Sequence, residues 1–296
     1  MWSIGIYSGK SPFDLNPFPA CNPVLTRDDV HDVPAAFVAD PFMISLDGVW
    51  YMFFEVMNRR TNKGEIGLAT SRDGLVWEYQ RIVLREAFHL SYPYVFEWKG
   101  DYYMIPETLS VGTVSLYRAQ TFPTCWSYLG PLIKGRCADP SVFRFDNRWW
   151  MFACLTPYEH DRLSFYQAEE LMGPWREHPA SPLVENNKHN ARPAGRVIVL
   201  DDAAIRFSQD CIPKYGTQVR AFEISEITND GYVETEHENS PVLTASGSGW
   251  NALGMHHLDL HRRSDGRWMA CVDGFAESKN QSSNSMNSGL SGANRG

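Results

Sequence analysis

Residues 38–55 read VADPFMISLDGVWYMFFE, and 99 residues later 137–154 read CADPSVFRFDNRWWMFAC. Each opens on Ala-Asp-Pro, runs through an apolar stretch into a tight turn, and leaves it along an aromatic stretch. Two looser copies are SYPYVFEWKGDYYMIPE at 91–107 and ARPAGRVIVLDDAAIRFS at 191–208. Aligned on Pro41, Pro93, Pro140 and Pro193, the copies are spaced by 52, 47 and 53 residues.

Each unit continues into a third run that ends in a turn. These are EIGLATSRDGLVWE, TVSLYRAQTFPTCWS, RLSFYQAEELMGPWR and QVRAFEISEITNDGYVE. Alternating apolar, β-branched and aromatic residues bounded by Gly, Asn and Asp are strand and hairpin signals, and helical periodicity is nearly absent. A repeat of about 50 residues made of antiparallel strands is the signature of a propeller blade.

A fifth unit is incomplete. GMHHLDLHRR (254–263) and GRWMACVDG (266–274) supply two strands and then the pattern stops. SIGIYSGKSPFDL (3–15) matches the third run of the first unit almost position for position. The sequence therefore predicts an all-β, five-bladed β-propeller closed by the N-terminal strand, which leaves no open sheet edge at the join. One propeller spans 1–276, with blades at roughly 38–88, 89–136, 137–189, 190–249 and 250–275 plus 3–15. The Ser/Asn/Gly-rich stretch 277–296 is too polar to bury a core and is expected to be disordered.

Composition narrows the function. The 296 residues are 43% hydrophobic and 13% aromatic, enough for a sizeable core. A net charge of −8 with no Lys/Arg cluster argues against nucleic acid or an anionic membrane as partner. The six cysteines (Cys21, Cys125, Cys137, Cys154, Cys211, Cys271) have neither zinc-ligand spacing nor the density of a disulfide framework. No basic-then-apolar leader and no apolar run of about 18 residues is visible, so a cytoplasmic protein without a membrane span is the expectation.

The four aligned prolines suit a strand's first residue, where no ladder donor is needed, and force the preceding residue into an extended conformation. That preceding residue is Asp40, Tyr92, Asp139 and Arg192 in turn. A purely architectural aspartate would recur in every blade. Equivalent positions ring the propeller axis, so these four should face one another across one mouth of the channel. A carboxyl pair from non-adjacent blades is what glycoside hydrolysis uses, one protonated and one ionised.

With the turn pattern I-G-x-A-x-S-x-D-G-x-x-W, this arrangement resembles the five-bladed β-propeller glycoside hydrolases of the arabinanase, xylosidase, invertase and levansucrase-like families. In detail the chain looks closest to the N-terminal propeller module of glucosamine inositolphosphorylceramide transferases and its bacterial relatives. The resemblance implies that Asp40 is base or nucleophile and that Asp139 orients substrate and tunes the acid. The acid itself departs from the pattern, because NARPAGR at 190–196 has no glutamate; nearby stand only Asp201, Asp202 and Asp210. Glu107, closing the second run of blade two, is the substitute, and Glu55 holds the equivalent place in blade one.

Arg192 brings a cation into this acidic setting, either to clamp a phosphate or carboxylate on the ligand or to keep the aspartates ionised; a structural ion pair is the plain alternative. His89, Tyr92, Asp210 and Trp250 are further candidates for the sugar pocket. Strand alternation sets His257, Asp259 and His261 on one face and His256 on the other. The resemblance implies no required cofactor, with an axial metal ion near His256 or His257 as the exception. Three functions remain open: a glycoside hydrolase acting on a polar or anionic glycan, a sugar-binding propeller without turnover, and a component of glycan or glycolipid assembly associated with a glycosyltransferase.

Overall fold

The computed structural model describes residues 1–18, 22–200 and 203–277. Cys21, Asp201, Asp202 and the polar stretch from 278 onward lie outside the described residues. Five antiparallel sheets are arranged as a β-propeller. The first blade orders Ala35–Leu46, Val49–Asn58, Lys63–Ser71 and Glu78–Leu84 from the axis outward. The second contains Ser91–Trp98, Asp101–Glu107, Thr113–Thr121 and Cys125–Lys134, and the third runs from Ala138–Phe145 to Arg176–Glu177. The fourth is broken into shorter strands from Arg192–Pro193 to Leu243–Thr244.

Ring closure follows the repeat. In the fifth sheet Trp2–Ser11 pairs with Trp268–Phe275, from Trp2 opposite Phe275 to Gly9 opposite Trp268. Asp14–Pro17 then adds an outer strand. These fourth strands are what the repeat did not reveal. They are half-exposed and interrupted by bulges, so they carry no clean alternation.

The repeated tryptophans explain the turns. Trp77, Trp126 and Trp175 each donate an indole N–H to a carbonyl three or four residues back, at 3.0, 2.9 and 3.0 Å. In the first of these turns Asp73 accepts the backbone N–H groups of Leu75 and Val76 at 2.8 and 2.9 Å. The motif is thus a self-satisfied corner that releases the chain toward the outer strand.

The core lies between blades. Phe42, Phe53, Tyr94 and Met104 join blade one to blade two, and Ile4, Ile6, Met43, Phe54 and Met269 join blade five to blade one. Each such fully buried side chain contributes about 1.5–3 kcal/mol by leaving water.

The aligned prolines behave differently from expectation. Pro41, Pro93 and Pro140 sit inside strands at β-bulges, where the ladder register slips. Their predecessors are not extended: Asp40, Tyr92 and Asp139 have φ of 53°, 47° and 51°, in the left-handed region. The bulge tips each blade-head residue out of the ladder, which frees its N–H and aims its side chain off the regular alternation.

Candidate functional site

Those freed N–H groups find carboxyls on the preceding blade. Asp40 N donates to Asp273 Oδ2 at 3.1 Å, Tyr92 N to Asp40 Oδ2 at 3.2 Å, and Asp139 N to Glu107 Oε2 at 3.2 Å. The acids at the mouth therefore also stitch neighbouring blades, an architectural use that symmetry counting did not anticipate. The bulge creates the donor, and only an acceptor from next door can reach it.

The ladder places the two glutamates at matching points. Glu55 pairs with Ala39 and Glu107 with Ser91, each partner being the residue before a blade head. Cys154 takes that place in blade three, opposite Ala138. Asp40, Glu55, Glu107, Asp139 and Arg192 are all buried, 2–8% exposed, and form the floor of the candidate site.

Two ionic clusters hold the floor. In the first, His256 bridges Asp40 and Asp273, with Nε2 3.3 Å from Asp40 and Nδ1 2.8 Å from Asp273. Burial alone would lower this imidazole's pKa, but the Asp273 charge and both carboxylate contacts outweigh it and raise it to about 10. Burial alone would in turn raise Asp40, but the His256 hydrogen bond and charge hold it below the usual carboxylate range. Neighbouring His257 is kept neutral by burial; its Nε2 lies 2.9 Å from the Pro41 carbonyl and its Nδ1 4.0 Å from Asp40.

In the second cluster Arg192 grips Asp139 through Nε at 2.6 Å and a terminal nitrogen at 3.4 Å. The same terminal nitrogen approaches Glu107 at 3.7 Å, and the other donates to the Pro157 carbonyl and His160 Nδ1 at 2.9 and 3.0 Å. Gln209 adds a 2.7 Å hydrogen bond to Asp139. All three guanidinium nitrogens are thus engaged within the protein. Of the three readings open for Arg192, the geometry is that of the internal ion pair, because Asp139 presents both of its oxygens to the guanidinium.

Two carboxyls beside these clusters are shifted upward. Burial, then the Asp139 carboxylate, push Glu107 up to about 8, with Arg192 only partly opposing them. Burial, then Asp40 and Glu107, hold Glu55 well above the ordinary glutamate range. His89 stands beside Glu55, its Nε2 3.4 Å from Oε1, while its Nδ1 accepts the Gly64 N–H at 2.8 Å.

Other expected site residues go elsewhere. Tyr92 is fully buried; its phenol accepts the Gly195 N–H at 2.6 Å and lies 2.7 Å from Ser141 Oγ, so it plugs the axis and offers no stacking face. Asp210 is occupied by Arg220, Gln218, His189 and the Ile212 N–H at 2.8–3.0 Å. Trp250 covers Gly5 and Gly274 on the fifth sheet. Asp210 and Trp250 are drawn away by local partners that sequence spacing does not reveal.

Sequence reasoning also missed residues at the mouth. Tyr215, 38% exposed, lies 5.0 Å from the Arg192 guanidinium and 5.1 Å from the His256 ring, within Coulombic reach of Asp40 and Asp139. It and His160 sit in loops outside the repeat. Asp273 was hidden in the strand WMACVDG, where an acid after an apolar run was the available signal.

Among the described residues, Asp40, His256 and Asp273 are the trio whose donor atoms come close enough for a metal, within 4.8 Å of one another. Both imidazole nitrogens already face carboxylates, so His256 is engaged on either side within the trio. Asp259 is taken by Arg196 at 2.5 Å and His261 at 2.9 Å, away from His257.

The same fold recurs among solved structures. The catalytic domain of a GH62 α-L-arabinofuranosidase from Coprinopsis cinerea superposes with a TM-score of 0.61 at 11% identity, covering 92% of this chain and 97% of that one. At that identity the likeness is one of fold. In sequence, glucosamine inositolphosphorylceramide transferase 1 of rice (Oryza sativa subsp. japonica) is 35% identical over 92% of this chain, and that of Arabidopsis thaliana is 32% identical. The chain spans 40% of the rice protein's length. Residues 1–275 match the family described as glucosamine inositolphosphorylceramide transferase 1, N-terminal, and the chain belongs to it.

Proposed function

We propose that the propeller mouth binds a sugar and hydrolyses its glycosidic bond, with Glu107 as general acid and Asp40 as general base. What supports this is the opposite surroundings of two buried carboxyls: Glu107 sits beside Asp139, and burial with that carboxylate pushes it up to about 8, whereas Asp40 is held by His256 below the usual range. Acid and base assignments follow from such paired but opposite environments.

In this reading Glu107 gives its proton to the leaving-group oxygen as the anomeric C–O bond breaks. A water adds to the anomeric carbon and loses its proton to Asp40. Asp139 sets the proton affinity of Glu107, and Arg192 holds Asp139 in place. Tyr215, partly exposed beside both clusters, offers an aromatic face to a ring.

The test is release of alcohol from a panel of activated pyranosides and furanosides. Asp40→Asn and Glu107→Gln should each lower kcat/KM by about 100-fold or more. Turnover unchanged in both variants overturns the assignment.

A second reading is favoured by the family. The relatives are named as glucosamine inositolphosphorylceramide transferases, and this chain spans only part of them. The propeller would then hold a sugar for a transferase without turning it over. Sugar affinity lost in Asp40→Asn, with no hydrolysis of any glycoside, selects this reading over the first.

A further inference from the structure

At the end of the channel opposite the mouth, the fifth blade again departs from the others. In blades one, two and three the inner strand ends there in a two-residue turn, after Leu46, Trp98 and Phe145. Leu200 holds that last strand position in blade four, and Arg262 holds it in blade five. The blade-five turn is also longer, running from Arg263 through Ser264 and Asp265 to Arg267, with Arg263 N donating to the Arg267 carbonyl at 2.8 Å. A large apolar residue satisfies the architecture at this position in four blades, so the arginine answers to something else.

The same turn lines a cavity of about 480 Å³ between blades five and one. Ile44, Ser45 and Trp50 of blade one line it, and so do Arg262, Arg263 and Ser264 of blade five. Ser45 and Arg262 are exposed and Trp50 is half-buried, so the cavity is open to solvent. No carboxylate lines it, in a chain whose net charge is −8. Among the described residues Arg262 has no ion-pair partner; Arg263 has its Nε 3.7 Å from Asp265 and a terminal nitrogen donating to the Asp73 carbonyl at 3.2 Å. His261 stands edge-on to Trp50, 5.5 Å between ring centres, and is fixed by Asp259 at 2.9 Å. The cavity thus offers positive charge and hydroxyls beside an indole and an aliphatic side chain.

We propose that this cavity is a second binding site, remote from the mouth, for an organic anion. The ligand's carboxylate or phosphate meets Arg262 and Arg263, and its flat apolar body lies against Trp50 and Ile44. Guanidinium groups take such oxyanions through parallel N–H···O bonds, and an indole gives a flat body a large contact area. The volume falls in the range of small-molecule sites, roughly 300–1,000 Å³. A bare inorganic ion would leave Trp50 and Ile44 wet, and a neutral ring would leave Arg262 unanswered. Binding therefore draws on both halves of the cavity.

Calorimetric titration of the full chain at about 0.15 M salt tests this with benzoate, phenyl phosphate, benzyl alcohol, benzylamine and inorganic phosphate. Benzoate or phenyl phosphate should bind at least about tenfold tighter than benzyl alcohol, benzylamine and inorganic phosphate, and the tighter of the two identifies the oxyanion. Arg262→Leu installs the residue that blade one carries at this position, and should cost about tenfold in that affinity. Arg267→Gln, in the same turn but outside the cavity, should leave it unchanged. On the unaltered chain, the indole N–H resonance of Trp50 should shift as the anion is added, a readout that does not depend on how any variant folds. Inorganic phosphate binding as tightly as the aryl anions, affinity unchanged in Arg262→Leu, or a Trp50 resonance that stays put overturns the proposal. Affinity lost in Asp40→Asn would place the anion at the mouth and overturn it too.

Discussion

Glu107 and His256 differ in charge type but push stability the same way with pH. Between about pH 4.5 and 8 the folded chain keeps a proton on Glu107 that the unfolded chain has released, so stability falls as pH rises through that window. His256 keeps its proton from 6.5 up to about 10; its contribution is complete below 6.5 and is lost as pH rises through 10. Replacing Glu107 by Gln removes the first slope. Urea unfolding at pH 5 and pH 8 should show the parent losing on the order of 3 kcal/mol more than the variant, which keeps the His256 slope. An equal loss in both would mean that Glu107 ionises normally in the fold. Asp40 and Asp139 were legible in the sequence because they break a symmetry that the prolines keep, and Glu107 because it closes the second run of its blade on an acid. Tyr215, His160 and the pairing of His256 with Asp273 were not, since loop conformation and cross-blade distance leave no period to read.

Single blades depend on bulges and on how closely their inner strands approach. Gly195 has a φ of 124°, and a Cβ there would lie 1.8 Å from the Leu258 carbonyl, where blades four and five meet. Gly100, at the turn of blade two, has a φ of 83° and open space around it. Both incur backbone strain on becoming Ala, but only Gly195→Ala must also push neighbouring strands apart. Gly100→Ala should cost about 1 kcal/mol and Gly195→Ala at least about 3 kcal/mol, read from denaturant midpoints. Equal costs would show that the inter-blade contact yields freely. At this scale the three inner strands of each blade and the Asp-Gly-x-x-Trp corner could be read from alternation and turn chemistry. The outer strands could not, because short, half-wet, bulged segments lose the two-residue period. Nor could the left-handed blade heads, since a proline ordinarily favours an extended neighbour.

The whole ring is fastened by one antiparallel seam between Trp2–Ser11 and Trp268–Phe275. The two ends of the propeller meet there: Ala276 N donates to the Met1 carbonyl at 3.2 Å. Deleting residues 1–17 would remove the Ile4 and Ile6 contacts and bare the edge of Trp268–Phe275, so the truncated chain should aggregate and lose its cooperative thermal transition. A circular permutant that links residue 276 to residue 1 and opens in the turn at Lys99–Gly100 should instead retain that transition, because every seam contact survives. Scanning calorimetry separates the two, and a truncated chain melting like the parent would show that the seam is dispensable. Closure was readable from the sequence because the two ends complete one repeat between them.

The same seam orders events in time. Trp2–Ser11 is synthesised before all of the strands that will flank it, and its inner partner Trp268–Phe275 is the last strand of the propeller to be made. Four blades can assemble behind the ribosome while this apolar ribbon has only the short outer strand Asp14–Pro17 and the Leu25 bridge to pair with. The ring cannot lock until the far end arrives, a contact of very long sequence separation that makes final closure slow. Until that moment Asp40 lacks its blade-five partners His256 and Asp273, so the mouth is the last part of the propeller to come into being.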